Sequence, residues 1–193
     1  MIHLLLLACS GPDEEPPRTN NAPQVAELRI DPIPADARDD LVATVETVDL
    51  DGDEVTLTYT WTVDGHEQAV ETNTLPAGSA IKYQLVELEV RISDGFSFGT
   101  PATATVTLEN APPELPSVAI EPEAPGIGDP MTCVGAVTEA DGDELSFLYG
   151  WFVEDERLEH DEAVLDMDLA RNTKVQCEVS VSDGEVLVGP TRS

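Results

Sequence analysis

Apolar side chains recur at every second position through most of this chain. Leu41, Ala43 and Val45 open the pattern, Val55, Leu57, Tyr59, Trp61 and Val63 continue it, and Val86, Leu88, Val90 and Ile92 follow. The same spacing returns in Met131 and Cys133, in Leu145, Phe147, Tyr149, Trp151 and Val153, and in Val175, Cys177, Val179 and Val181. A period of two places alternate side chains on one face of an extended strand. Each run therefore predicts a strand with one buried and one solvated face. Residues 102–108 add a further strand. No long segment carries apolar residues at helical spacing. Thr and Val dominate the runs, with Pro and Gly between them, which is the composition of short strands joined by turns. The fold class predicted is all-β.

The runs come in two copies. Asp51-Gly52-Asp53-Glu54 opens a stretch of thirteen residues that matches the one opened by Asp141-Gly142-Asp143-Glu144 at seven positions, at an offset of 90. Ser93-Asp94-Gly95 matches Ser182-Asp183-Gly184, and Asn21-Ala22-Pro23 matches Asn110-Ala111-Pro112, both at an offset of 89. A period near 90 suits a seven-stranded sandwich rather than a short solenoid repeat. The expected units are residues 24–110 and 113–193, with Pro112-Pro113 as a stiff junction. After Gly95 the first copy runs through a full last strand, whereas only nine residues follow Gly184. The second unit is therefore expected to be C-terminally truncated and to lack most of its last strand. That would leave an open sheet edge, which a partner strand is the alternative means of filling.

Charge narrows the partners. Acidic residues number 39 against 9 basic ones, a formal charge of -30. Phosphate recognition needs clustered Lys and Arg, so nucleic acid is excluded as a partner. Anionic lipid headgroups are disfavoured for the same reason. Mutual repulsion at a crowded surface and capture of divalent cations remain. The 41% apolar content, in ordered patterns, sets the chain apart from acidic disordered sequences.

Asp49, Asp51 and Asp53, with their counterparts Glu139, Asp141 and Asp143, are the dense carboxylate clusters that both copies share. Alternating carboxylates can supply several of the six to eight oxygens that Ca²⁺ takes, although the spacing is not that of an EF-hand. The competing reading is a turn, in which Asp-Gly adopts positive φ and carboxylates accept from nearby amides. No enzymatic activity is expected. His3, His66 and His160 occupy unmatched positions, no zinc-spaced pair occurs, and no Gly-rich phosphate loop follows a strand. Trp61 and Trp151 fall in the core register. A carbohydrate-binding module would thus depend on a surface aromatic such as Tyr83.

The first residues end in Leu6-Leu7-Ala8-Cys9, which resembles the lipobox of bacterial lipoproteins. The resemblance implies a signal segment at 1–8, a lipid on Cys9, and a Pro-rich tether through residue 23. Several acyl chains on one Cys would give stable membrane anchoring. Ser10 after the Cys implies the outer membrane or cell surface. Only eight residues precede Cys9 and none is basic, a departure that places the start of a full signal upstream.

Cys133, Trp151 and Cys177 stand in the order that marks immunoglobulin domains. With the Asp-Gly-Asp, Tyr-x-Trp, Ser-Asp-Gly and Asn-Ala-Pro landmarks, residues 22–193 resemble PKD-type and related immunoglobulin-like repeats of bacterial surface proteins. The PKD signature itself and the tyrosine corner are absent, so the subfamily stays open. The resemblance implies two tandem immunoglobulin-like β-sandwich domains and a Cys133–Cys177 disulfide packed on Trp151. It implies a Trp61-centred first core, with Ala43 and Leu88 in the half-cystine positions. It also implies a role in spacing, display or adhesion toward a protein or glycan partner, with calcium-dependent adhesion as a variant. A disulfide agrees with an oxidising compartment outside the cytoplasm.

Overall fold

In the computed structural model, residues 19–193 are described, and no helix occurs among them. Cys9, the signal segment and most of the tether lie outside the described residues. The chain first forms β1 (Gln24–Asp31), β2 (Leu41–Val48), β3 (Thr56–Val63), β4 (His66–Glu67), β5 (Thr74–Leu75), β6 (Leu85–Ser93) and β7 (Ala102–Thr107). It then forms β8 (Glu114–Glu121), β9 (Met131–Thr138), β10 (Ser146–Val153), β11 (Glu156–Arg157), β12 (Val164–Leu165), β13 (Val175–Ser182) and β14 (Leu187–Arg192).

Strands β1, β2 and β5 form one antiparallel sheet of order β1-β2-β5, and the rest of the first set forms a second, of order β4-β3-β6-β7. The second set repeats this as β8-β9-β12 and β11-β10-β13-β14. Chain order and sheet order disagree in the same way twice. The connections β2→β3 and β5→β6 pass from sheet to sheet, as β9→β10 and β12→β13 do. This is the seven-stranded immunoglobulin-like sandwich, present in two tandem copies called domain 1 and domain 2 below.

Each sandwich closes on its tryptophan. Trp61 is 0% exposed and packs with Ile30, Leu41, Leu75, Val86 and Leu88. Trp151 is equally buried, with Met131, Leu165 and Val179. The indole N–H finds a carbonyl eleven residues downstream in both cases, Thr72 at 3.0 Å and Glu162 at 2.9 Å. A buried donor must be paired, so this bond sets the height of the β3–β5 and β10–β12 connections. Cys133 and Cys177 are joined by a disulfide across a separation of 44 residues. Ala43 and Leu88 are the matching buried pair of domain 1.

Two expectations need correcting. A last strand is present in domain 2, and β14 is as long as β7 at six residues each. The loop from Phe96 to Pro101 of domain 1 has almost no counterpart, so β14 turns back tightly after Ser182-Asp183-Gly184. β7 lies along β6 from Val90 to Leu85, whereas β14 reaches only from Ser182 to Glu178 along β13. The second correction concerns β10. Phe147 belongs to the inward register yet remains 39% exposed, while Phe152, on the outward register, is 7% exposed. The guanidinium of Arg192 covers its ring at 3.7 Å, a cation–π contact from the β14 edge of the same sheet.

Candidate functional site: the acidic loops and the domain junction

Both acidic clusters are loops built by their own carboxylates. Asp49 Oδ1 accepts from the N–H groups of Asp51 at 2.9 Å and Asp53 at 3.0 Å. Glu139 does the same for Asp141, Gly142 and Asp143. Gly52 and Gly142, with φ of 78° and 81°, supply the left-handed turn between these bonds. Burial pushes the Glu139 carboxyl up, but the amides around it outweigh this and hold it below its ordinary range. Within each cluster, one oxygen per residue lies within 4.8 Å of the others.

Their second partner is the segment that enters each domain. In domain 2, Ala111 N–H donates to Asp141 Oδ2 at 2.7 Å, and Asn110 Nδ2 donates to Asp183 Oδ2 at 2.8 Å. In domain 1, Asn21 N–H donates to Asp51 Oδ2 at 2.5 Å, and Asn20 Nδ2 donates to Asp94 Oδ2 at 2.9 Å. The structural counterpart of Asn110 is therefore Asn20, at an offset of 90, and not Asn21 as the sequence match suggested. Pro23 and Pro113, both buried, follow in the same register.

The Ser-Asp-Gly landmark now has a physical reading. Asp94 Oδ1 accepts from Phe96 and Ser97 N–H, both at 2.7 Å, and Asp183 Oδ1 accepts from Glu185 at 2.8 Å and Val186 at 2.6 Å. One oxygen closes the hairpin and the other holds the entering asparagine. The amide of Ser97, then Asn20, brings the Asp94 carboxyl down to about 2. The Asn110 amide, then the N–H of Val186, brings Asp183 to about 2. A depressed carboxyl pKa contributes stability that is fully present above the unfolded value and is lost as pH falls through the folded one. Thermal stability of both domains is accordingly expected to fall as pH drops from 3.8 toward 2. In Asp183→Asn, the fall in domain 2 should flatten over that window, as read by calorimetry against pH.

Domain 1 also sends a loop into the domain 2 cluster. Lys82 N–H donates to Asp141 Oδ1 at 2.7 Å. The Lys82 ammonium meets Asp143 Oδ2 at 2.7 Å, Asn110 Oδ1 at 3.1 Å, and the carboxylate of Glu185. Its side chain is 15% exposed. Tyr83 O–H donates to Glu185 as well, which raises the phenol, while the Lys82 ammonium and then this phenol lower the Glu185 carboxyl. Asp143 Oδ2 is buried and takes no well-aligned hydrogen bond, and its partner is the ammonium ion. Nearby, Arg38 bridges Asp36 to Glu114 at 3.2 Å, again across the junction.

Of the six carboxylates proposed for Ca²⁺, all but that of Asp53 have partners within the protein, and in domain 2 the cation beside them is Lys82. In domain 1, Asp49 Oδ2 is buried without a hydrogen bond, and Asp51 and Asp53 are exposed beside Phe96. Tyr83, the surface aromatic considered for sugar stacking, belongs to the junction. Sequence reasoning missed Lys82, Asn20, Asn110, Asp94, Asp183 and Glu185. The available signal was the joint recurrence of the asparagine and Ser-Asp-Gly landmarks at one period.

No protein-family model matches this chain, and no curated protein matches it. Among solved structures, it is similar to the crystal structure of the N-terminal four Ig domains of Dscam1 isoform 7.44. The identity is 16% and the TM-score 0.36, over 89% of this chain and 45% of that one. The corresponding structure of isoform 4.44 gives the same identity and coverage with a TM-score of 0.33. The chain spans less than half the length of either.

Proposed function

We propose that this protein is a non-catalytic module of the bacterial cell surface, tethered by a lipid on Cys9, whose two domains space and display a binding face away from the membrane. The observation that carries the reading is the junction. A spacer must resist bending where its domains meet, and here one lysine from domain 1 is enclosed by Asp143, Glu185 and Asn110. The linker beneath it is hydrogen-bonded to Asp141 and Asp183. Joints between domains move by default unless such contacts restrain them. The surplus of negative charge keeps neighbouring copies apart on a crowded envelope.

Lys82→Met tests the reading. It removes the ammonium but keeps the length of the side chain. The two domains are expected to share one alignment tensor and one rotational correlation time in the parent protein, by NMR residual couplings and relaxation. In the variant the tensors should separate, and small-angle scattering should show a broader distribution of extensions. Unchanged tensors in the variant would remove the junction from the argument.

A further inference from the structure

Each sandwich has a lateral edge that its own chain covers only in part. β11 is two residues long and pairs with Phe152 and Val153 of β10, and Leu158 N–H extends the contact to Trp151 C=O at 2.8 Å. Backbone groups alternate in direction along an antiparallel strand. The N–H and C=O of Phe147 and Tyr149 therefore point to the same side as those of Trp151. Among the described residues they have no hydrogen-bond partner there. β3 of domain 1 is left open in the same way, since β4 reaches only Thr62 and Val63, and Gln68 N–H reaches Trp61 C=O. The opening lies in the middle of each domain and is set by the shortness of β4 and β11.

The two open edges carry different side chains. On β3, Thr56, Thr58 and Thr60 turn hydroxyls outward. On β10, Leu148 stands where domain 1 has Thr58 and is 61% exposed, and Phe147 is exposed beside the ring of Tyr149. Natural edge strands are blunted by charge, by proline or by a bulge. Residues 146–150 carry no charge and no proline, in a chain whose charged fraction is 25%, and their register with β13 is unbroken. Carboxylates stand at the two ends of this edge. Glu144, exposed, precedes it. At the other end, the connection from β11 to β12 crosses from Trp151 to Cys133, held by Leu158 N–H and by Ala163 C=O. That crossing carries Glu159, Asp161 and Glu162, all exposed. The guanidinium of Arg157 beside it is paired with Glu178.

We infer that the open edge of β10 accepts an extended segment of a partner protein, added as a strand with apolar side chains at alternate positions and basic residues at its ends. Phe147 and Tyr149 supply the backbone donors and acceptors. Leu148 on one face of the sheet and Phe147 on the other supply apolar contact for successive side chains, so both ingredients of strand addition are present. Charge selects the occupant. A second copy paired antiparallel through the same edge would bring its Glu144 against Glu159, Asp161 and Glu162, in a chain that already carries a formal charge of -30. Like charges juxtaposed in this way work against association. A segment with Lys or Arg at its ends meets carboxylates at both. The inference gives the displayed face a place on domain 2, and it stands whether or not the junction is rigid.

The test uses the full chain and a synthetic peptide of alternating valine and threonine with a lysine at each end. Saturable binding is expected, weakened by added salt, with NMR shift changes concentrated at Ser146–Gly150. The amides of Phe147 and Tyr149 should become protected from hydrogen exchange only when the peptide is bound. The same peptide N-methylated at alternate residues, in the phase that faces β10, should bind about tenfold more weakly or not at all, and so should the peptide with glutamate ends. Leu148→Glu, at an exposed position, should weaken binding to a similar degree while leaving the unliganded melting temperature in place. Absence of saturable binding, equal binding of the N-methylated peptide, or equal shift changes along the open edge of β3 would overturn the inference. So would protection of Phe147 and Tyr149 that rises with protein concentration in the absence of peptide, which would assign the edge to a second copy.

Discussion

Trp61→Ala is expected to leave domain 1 unfolded or nearly so, while domain 2 keeps its own transition. Trp61 is fully buried, and its neighbours Leu75, Val86 and Leu88 are themselves packed on all sides. They cannot collapse inward to fill the space of an indole. Truncations of this size cost about 3–5 kcal/mol. The part-buried hydrogen bond to the Thr72 carbonyl would also be lost, a further net cost of about 0.5–1.5 kcal/mol. A domain of this size holds about 5–15 kcal/mol in total. Trp61→Phe separates the two terms, since it retains most of the packing and loses the hydrogen bond. Urea unfolding followed by fluorescence of the remaining Trp151, together with far-ultraviolet dichroism, would resolve the domains. A loss below about 1 kcal/mol for the alanine variant is incompatible with a core that closes on this residue.

What could be read from the sequence, and what could not, divides along physical lines. Period-two runs report which face of its own sheet a residue occupies, recur in the long strands and survive without knowledge of the partner strand. The Cys133, Trp151, Cys177 order marks a contact between the two sheets of domain 2 by residue type alone. The junction has no such redundancy. Lys82 meets Asp141 and Glu185 across 59 and 103 residues of chain, and its counterpart in domain 2 is Arg171, in a loop one residue shorter. Nothing local marks a lysine as enclosed. The linker register failed for a simpler reason. Asn20 and Asn21 are adjacent, sequence matching chose the one followed by Ala-Pro, and the carboxylate geometry of Asp94 selects the other. Phe152 failed because burial from outside the sandwich, under Arg192, leaves no trace in an alternation that reports only on the core. The last strand was undercounted because its loop was assumed to be as long as that of domain 1. Hairpin loops can shrink to a few residues without loss of pairing.

Replacing Cys133 and Cys177 together by alanine is expected to cost domain 2 about 4 kcal/mol, the loop-closure entropy for a separation of 44 residues. The bridge joins β9 of one sheet to β13 of the other, and Cys177 lies directly opposite Trp151 in the β10–β13 ladder. Both half-cystines are buried, so two small voids are added beside the indole. Domain 1 gives the internal control. Its Ala43 and Leu88 fill the same two places by packing alone, and its transition should be untouched by the double substitution or by a reducing agent. Installing Leu at position 177 against Ala at 133, the domain 1 pair, is expected to recover only part of the loss. Calorimetry in the presence and absence of reductant checks all of these. Equal melting of domain 2 with and without the bridge would mean that its two sheets are held by packing alone, as those of domain 1 are.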